Sequence, residues 1–199
     1  ETDEDNGGYF TIGGMDYYNP VAMLNERQNG YDVDDLSVNG RFTLNILPVK
    51  GLKWDNFVSW GSKNSLYTDY KTRYYPGETA QKGTAEIDNT RRTNLQYEST
   101  VQYSTKIREV ALQAIAGYTF EQSETFTTYM YNYGFDTDYF NVKNIGAGTA
   151  LLNGKGDMSS SRYGNRYVAF FGRVMANYKE KYMVSASLRR DGSSRFGAN

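Results

Sequence analysis

Alternation with a period of two runs through this sequence, and it limits the possible fold more than any single residue does. In LSVNGRFTLNIL, Leu36, Val38, Gly40, Phe42, Leu44 and Ile46 share one face, opposite Ser37, Asn39, Arg41, Thr43 and Asn45. Leu95, Tyr97, Ser99, Val101 and Tyr103 likewise oppose Asn94, Gln96, Glu98, Thr100 and Gln102. Val110, Leu112, Ala114, Ala116, Tyr118 and Phe120 form another apolar row. Val168, Phe170, Gly172, Val174, Ala176 and Tyr178 form the next, and Tyr182, Val184, Ala186 and Leu188 follow. Successive side chains of a strand point to opposite faces, so this pattern predicts strands that are apolar on one side. No substantial helix is expected.

The strands come in pairs. PVKG (48–51) joins the first to the Trp-bearing run LKWDNFVSW, while STKIRE (104–109) and KEK (179–181) join later ones. Between the pairs lie the Gly- and Asn-rich stretches 61–93 and 121–165, which read as long loops. Outer-membrane barrels alternate short and long connections in this way, and their strands run to about ten residues, against five or six in an average globular strand. Tyr103, Tyr178 and Tyr182 beside the short turns, with Tyr118 and Phe120 at the far end of their strand, suit interfacial girdles. A soluble β-sandwich that binds glycans also favours such tyrosines, and a passive porin-type channel would share the whole pattern. The expected fold is all-β, with about six antiparallel strands of a transmembrane barrel.

Six strands fall short of the eight or so that usually close such a barrel, and an open edge in lipid strands backbone groups at several kcal/mol each. The segment ASLRRDGSSRFGAN (186–199) runs from an alternating strand into an arginine-dense turn. On this reading the 199 residues are one part of a larger barrel, with further strands elsewhere in the protein.

Composition narrows the chemistry. The chain has no Cys and no His, which removes disulfides, thiolate sites, the usual general base and the commonest metal ligand. A formal net charge of -1 gives no reason to expect a nucleic-acid partner. No run approaches the roughly 20 apolar residues of a spanning helix, a test that barrel strands escape because they average to polar. A two-carboxylate hydrolase has no fixed Asp or Glu pair on strand ends to support it. No enzyme activity and no cofactor are expected.

Against this background, FFGRVMANYKEKYMVSASLRRDGSSRFGAN (170–199) resembles the SusC/RagA family of TonB-dependent outer-membrane transporters. Members carry a strand similar to FFGRVNYNYKDKY, followed by a strand leading into LRRDGSSRFG. NPVAM (19–23) resembles the family's NP-x-A segment, PVKGLKW (48–54) its KGL turn, AGYTFEQSE (116–124) its AGYSYE strand end and FDTDYF (135–140) its loop. Met175 and Ala176 depart from the pattern, where polar or aromatic residues are usual. The resemblance implies a barrel of 22 strands around an N-terminal plug, and residues 1–199 would be part of that barrel domain, without the plug or the TonB box. It implies import of oligosaccharides or peptides across the outer membrane, a SusD-like surface lipoprotein as lid, and energy from the TonB complex. Long loops would then be extracellular, short turns periplasmic, and the apolar rows in contact with outer-membrane lipid.

Candidate ligand or lid contacts lie in TYMYNYGFDTDYF. Tyr129, Tyr131, Tyr133, Tyr139 and Phe140 can stack on sugar rings, and Asp136 and Asp138 can accept from hydroxyls. The same residues would serve equally to pack a long loop. The family-motif loop, Arg189, Arg190, Asp191, Gly192, Ser193, Ser194, Arg195, Phe196 and Gly197, reads as an Arg–Asp cluster that fixes backbone rather than one that holds an anion. Arg41, Arg173 and Glu98 fall on polar faces directed into the lumen, and Asp88, Arg91 and Arg92 form a charge cluster preceding a strand. The acidic start Thr2-Asp3-Glu4-Asp5-Asn6-Gly7 lacks the spacing and distal glutamate of an EF-hand and reads as a solvated loop.

Overall fold

Each alternating run becomes a strand in the computed structural model, which describes residues 7–10 and 18–195. The strands are β1 (Arg27–Asn45), β2 (Leu52–Lys71), β3 (Thr84–Ile107), β4 (Val110–Tyr133), β5 (Asp157–Tyr178) and β6 (Tyr182–Ser193). They form one antiparallel sheet in the order β1-β2-β3-β4-β5-β6, so every strand pairs only with its neighbours in sequence. Among the described residues β1 and β6 do not meet, and the sheet is a partial barrel wall. One short helix, α1 (Pro20–Asn25), precedes β1. Its start follows from NPVAM: the Asn19 side chain accepts from the Val21 and Ala22 amides at 2.9 and 3.4 Å, and Pro20 supplies a helix-ready φ where no amide is needed.

Two expectations need correction. The stretches 61–93 and 121–165 are only partly loops, because β2 runs on to Lys71, β3 starts at Thr84, β4 reaches Tyr133 and β5 starts at Asp157. The loops proper are 72–83 and 134–156, and Asp88, Arg91 and Arg92 lie inside β3 rather than ahead of it. Backbone pairing continues where both faces turn polar or aromatic, so the hydrophobic contrast fades before the strand ends. The second correction concerns the arginine-dense segment. Arg189, Arg190, Asp191, Gly192 and Ser193 are not a turn but the last residues of β6, opposite Phe171, Phe170, Ala169, Val168 and Tyr167 of β5. The long β5 still offers its backbone there, and pairing satisfies groups that a loop would leave to water. Ser194 and Arg195 do turn. Phe196 and Gly197, like Thr2 to Asn6, lie outside the described residues.

The chain divides into two compact units, one of Glu1–Asp34, Asn64–Arg91 and Phe126–Arg162, the other of Asp35–Lys63, Arg92–Thr125 and Tyr163–Asn199. In the second unit, side-chain contacts identify the two faces of the sheet. The Trp54 indole donates to Ser99 and the Tyr97 hydroxyl to Asn56, both at 2.9 Å. The Tyr97 and Tyr118 rings are 6.3 Å apart and those of Tyr118 and Phe170 5.0 Å, while Val174 pairs with Ala186. The apolar rows of successive strands therefore merge into one face. Leu36, Val38, Phe42, Val174, Val184 and Leu188 on that face are 54% to 80% exposed, an apolar surface that a water-soluble sandwich would cover with a second sheet.

The opposite face of this unit is polar. Asp55 accepts from Thr43 at 2.6 Å and pairs with Arg41 at 3.5 Å. Arg189 donates to Asp191 and to the Tyr167 hydroxyl, both at 2.8 Å, and its guanidinium lies 5.9 Å from the centre of the Phe171 ring. Tyr167 in turn donates to Asp191. The Arg–Asp cluster thus fixes the β5–β6 pair. Phe171 covers Gly117, where an added Cβ would stand 2.3 Å from a ring carbon, so an aromatic ring fills the gap of a strand glycine.

Candidate functional site

The candidate ligand contacts belong to the first unit, where the strand ends carry the two long loops. A small core anchors them: Tyr70, Ala85 and Phe135 are buried together, with Val142 and Ile145 packed against them. The Tyr70 and Phe135 rings meet edge to face at 5.6 Å. Loops of this length have few neighbours, and this cluster supplies the burial that holds them.

Asp138 sits beside that core and is heavily engaged. It accepts from the Tyr70 hydroxyl at 2.9 Å, the Arg73 amide at 3.1 Å and the Arg73 Nε at 2.9 Å. Arg73 extends the clamp by donating to the Asp136 carbonyl at 3.0 Å. The hydrogen bond from Arg73 to Asp138 raises the guanidinium pKa further above its ordinary value. Asp138 is therefore a fastener between the two loops, with three of its four acceptor positions already taken. The Asp136 side chain is exposed.

Asn132 is a second fastener and was not legible in the sequence. It is fully buried, with its amide nitrogen donating to the carbonyls of Ile145 at 2.7 Å and Gly148 at 2.8 Å. Its oxygen accepts from the amides of Tyr133 at 2.9 Å and Leu151 at 3.0 Å. Both donor hydrogens and both acceptor positions are used, which ties the returning half of the loop to the end of β4. Nothing distinguishes this Asn from the loop asparagines around it until its burial is known.

The tyrosines separate into two groups. Tyr129, Tyr131 and Tyr133 alternate along β4 and so project from one face, half-buried, with the Tyr131 and Tyr133 rings 6.0 Å apart. The Tyr131 hydroxyl donates to Gln81 at 3.0 Å, which fixes that ring against the other loop. Tyr139 and Phe140 form the exposed pair, 84% and 46% exposed, with rings edge to face at 5.2 Å. The structure thus offers a ladder of fixed rings on the strand face and a free aromatic pair on the loop. Rigid tyrosines bind by stacking and a terminal hydroxyl at small entropic cost. Among the described residues no group of His, Cys, Asp or Glu is arranged to hold a metal ion.

No protein-family model matches the chain. Curated relatives do. TonB-dependent receptor P3 of Formosa agariphila is 24% identical over 194 residues, covering 96% of this chain and 19% of the receptor. TonB-dependent receptor P26 of the same organism is 22% identical, covering 95% of this chain and 19% of the receptor. Among solved structures, the RagAB peptide transporter superposes with a TM-score of 0.81 at 19% identity, over 95% of this chain and 21% of that one. The RagAB peptide importer in its open-open state gives 0.80 at 19% identity, over 96% and 21%. The resemblance read from the sequence therefore extends along nearly the whole chain, and the sheet has the fold of the corresponding part of a transporter barrel. The chain spans about a fifth of the length of the relatives it matches.

Proposed function

We propose that this relative of TonB-dependent receptors forms part of the barrel wall of an outer-membrane importer for oligosaccharides or peptides. The observation that carries the reading is the continuous apolar face across six paired strands, backed by a polar face bearing Arg41, Asp55, Arg189 and Asp191. A sheet with one apolar and one polar side is what a wall between lipid and an aqueous interior requires. The long loops would be extracellular and the short turns periplasmic. The tyrosine ladder of β4 would contact the passing ligand. Tyr139 and Phe140 would meet a SusD-like lipoprotein closing from outside, because an exposed aromatic pair on a fastened loop is a ready anchor for a protein partner. The relatives are receptors and transporters, which fits a role in binding and passage rather than catalysis.

Energy for import would come from the TonB complex acting through parts of the protein beyond this chain. Disrupting TonB in the producing bacterium should abolish accumulation of the ligand while the protein stays in the outer-membrane fraction. Accumulation that persists would point instead to a passive channel. Tyr139→Ala should weaken association with the lid lipoprotein about tenfold, roughly 1.4 kcal/mol, as measured by co-purification or titration in detergent. Unchanged association would confine Tyr139 to the loop itself.

A further inference from the structure

We infer that the tyrosine ladder, with Glu86 and Asp157 beside it, recognises an organic cation, an ammonium or guanidinium group on the transported molecule. This rests on the reading of the ladder as part of the ligand path. The geometry begins with register. The Thr90 and Thr127 hydroxyls touch at 3.1 Å across β3 and β4. Antiparallel counting from that pair sets Asp88 opposite Tyr129 and Glu86 opposite Tyr131. On the other side, Gly156 lies against the Tyr131 carbonyl, which brings Asp157, the first residue of β5, alongside the ladder. Glu86, Asp88 and Asp157 are the charges that act on the Tyr129 hydroxyl, and Glu78 and then Glu86 act on that of Tyr131.

Three basic side chains of the unit are already engaged. Arg27 is engaged by Asp69 at 2.7 Å, Arg73 by Asp138, and Lys71 by Glu78 while also lying 5.0 Å from the Tyr75 ring centre. Glu86 and Asp157 have no ion-pair partner among the described residues, and Asp88 receives only the Thr90 hydroxyl at 3.3 Å. Rings and uncompensated carboxylates thus line the same face. A tyrosine face attracts a cation within about 6 Å of its centre, and an adjacent carboxylate adds a direct Coulomb attraction. A neutral sugar would gain stacking and hydroxyl hydrogen bonds to the carboxylates, without the attraction between opposite charges. A uronate or sulfated sugar would meet like charge, so the face discriminates by sign.

The cation has two possible chemical sources, a basic side chain of a peptide or the amine of an amino sugar, and paired probes separate them. Full-length protein in detergent would be titrated with Ala-Lys-Lys-Ala against Ala-Gln-Gln-Ala, and with glucosamine tetramer against N-acetylglucosamine tetramer. The expected result is that the charged member of at least one pair binds tenfold or more tightly, and which pair responds identifies the source. Glu86→Gln, Asp88→Asn and Asp157→Asn together should bring that ratio to about one and leave the neutral probe's affinity as it was. Equal binding of charged and neutral members to the unaltered protein would overturn the cation inference and leave the ladder as a ligand path. A preference that survives the triple substitution would overturn the assignment to these carboxylates. Absence of binding by all four probes would remove both the inference and the ligand-path reading beneath it.

Discussion

Val174→Lys is expected to reduce outer-membrane assembly of the full-length protein more than tenfold relative to Met175→Lys, compared by the amount of folded, protease-resistant protein in the membrane fraction. The two positions are adjacent, and the substitutions add the same charge and nearly the same volume. Only the facing differs. Val174 pairs with Ala186 on the apolar face and is 54% exposed there, whereas Met175 pairs with Ser185 on the other side. A lysine on the lipid side near the bilayer midplane costs about 2–4 kcal/mol, falling toward the interfaces, while a lumenal lysine stays hydrated. Equal yields would contradict the assignment of the apolar row to lipid, and with it the membrane reading of the sheet.

Asn132→Ala should release the loop 134–156 from β4 while leaving the barrel assembled. The substitution strands two amides and two carbonyls that the side chain now satisfies, at about 1–3 kcal/mol for each that water cannot reach. The expected signature is rapid proteolytic cleavage within 134–156 with an unchanged melting temperature for the barrel. Ligand and lid affinities should fall at least tenfold, because the ordering now supplied by the fold would be drawn from binding energy. Asn132→Asp keeps the acceptor bonds to Tyr133 and Leu151 but sets a buried carboxylate oxygen against the Ile145 and Gly148 carbonyls, so it should release the loop at least as fully as Asn132→Ala. A loop that resists protease in the Ala variant would shift the anchoring role to the Tyr70–Phe135 core and the Asp138 clamp.

The parts of this fold legible in the sequence are those where polarity alternates. The apolar rows from Leu36 to Leu44 and from Val168 to Leu188 identify strands, their facing and the short turns between them, because burial of one face forces the pattern. Strand ends such as 64–71 and 121–133 were hidden, since Thr, Tyr and Asn occupy both sides there and the pairing leaves no polarity trace. Arg189 to Ser193 misled for a related reason: charge and glycine resemble a turn, yet the backbone of β5 was available to pair with them. Within the candidate site, aromatic content pointed to Tyr129, Tyr131, Tyr133, Tyr139 and Phe140, all of which lie in the unit that carries the long loops. It could not separate the exposed pair from the fixed ladder. Asp138 carried the right chemistry for a ligand contact, but Arg73 and Tyr70, distant in sequence, already occupy it.

The strand order also has a meaning in time. Because every strand pairs only with its sequence neighbours, each hairpin can close from local contacts before the next begins, which keeps loop-closure entropy low and pairing fast. The same order leaves two unpaired backbone edges at every intermediate stage, that of the first strand and that of the newest, and such edges bind indiscriminately to other strands. A wall of this kind grows safely only while something holds its leading strand. The architecture therefore calls for a chaperoned, edge-templated insertion, with quick hairpins and a guarded seam.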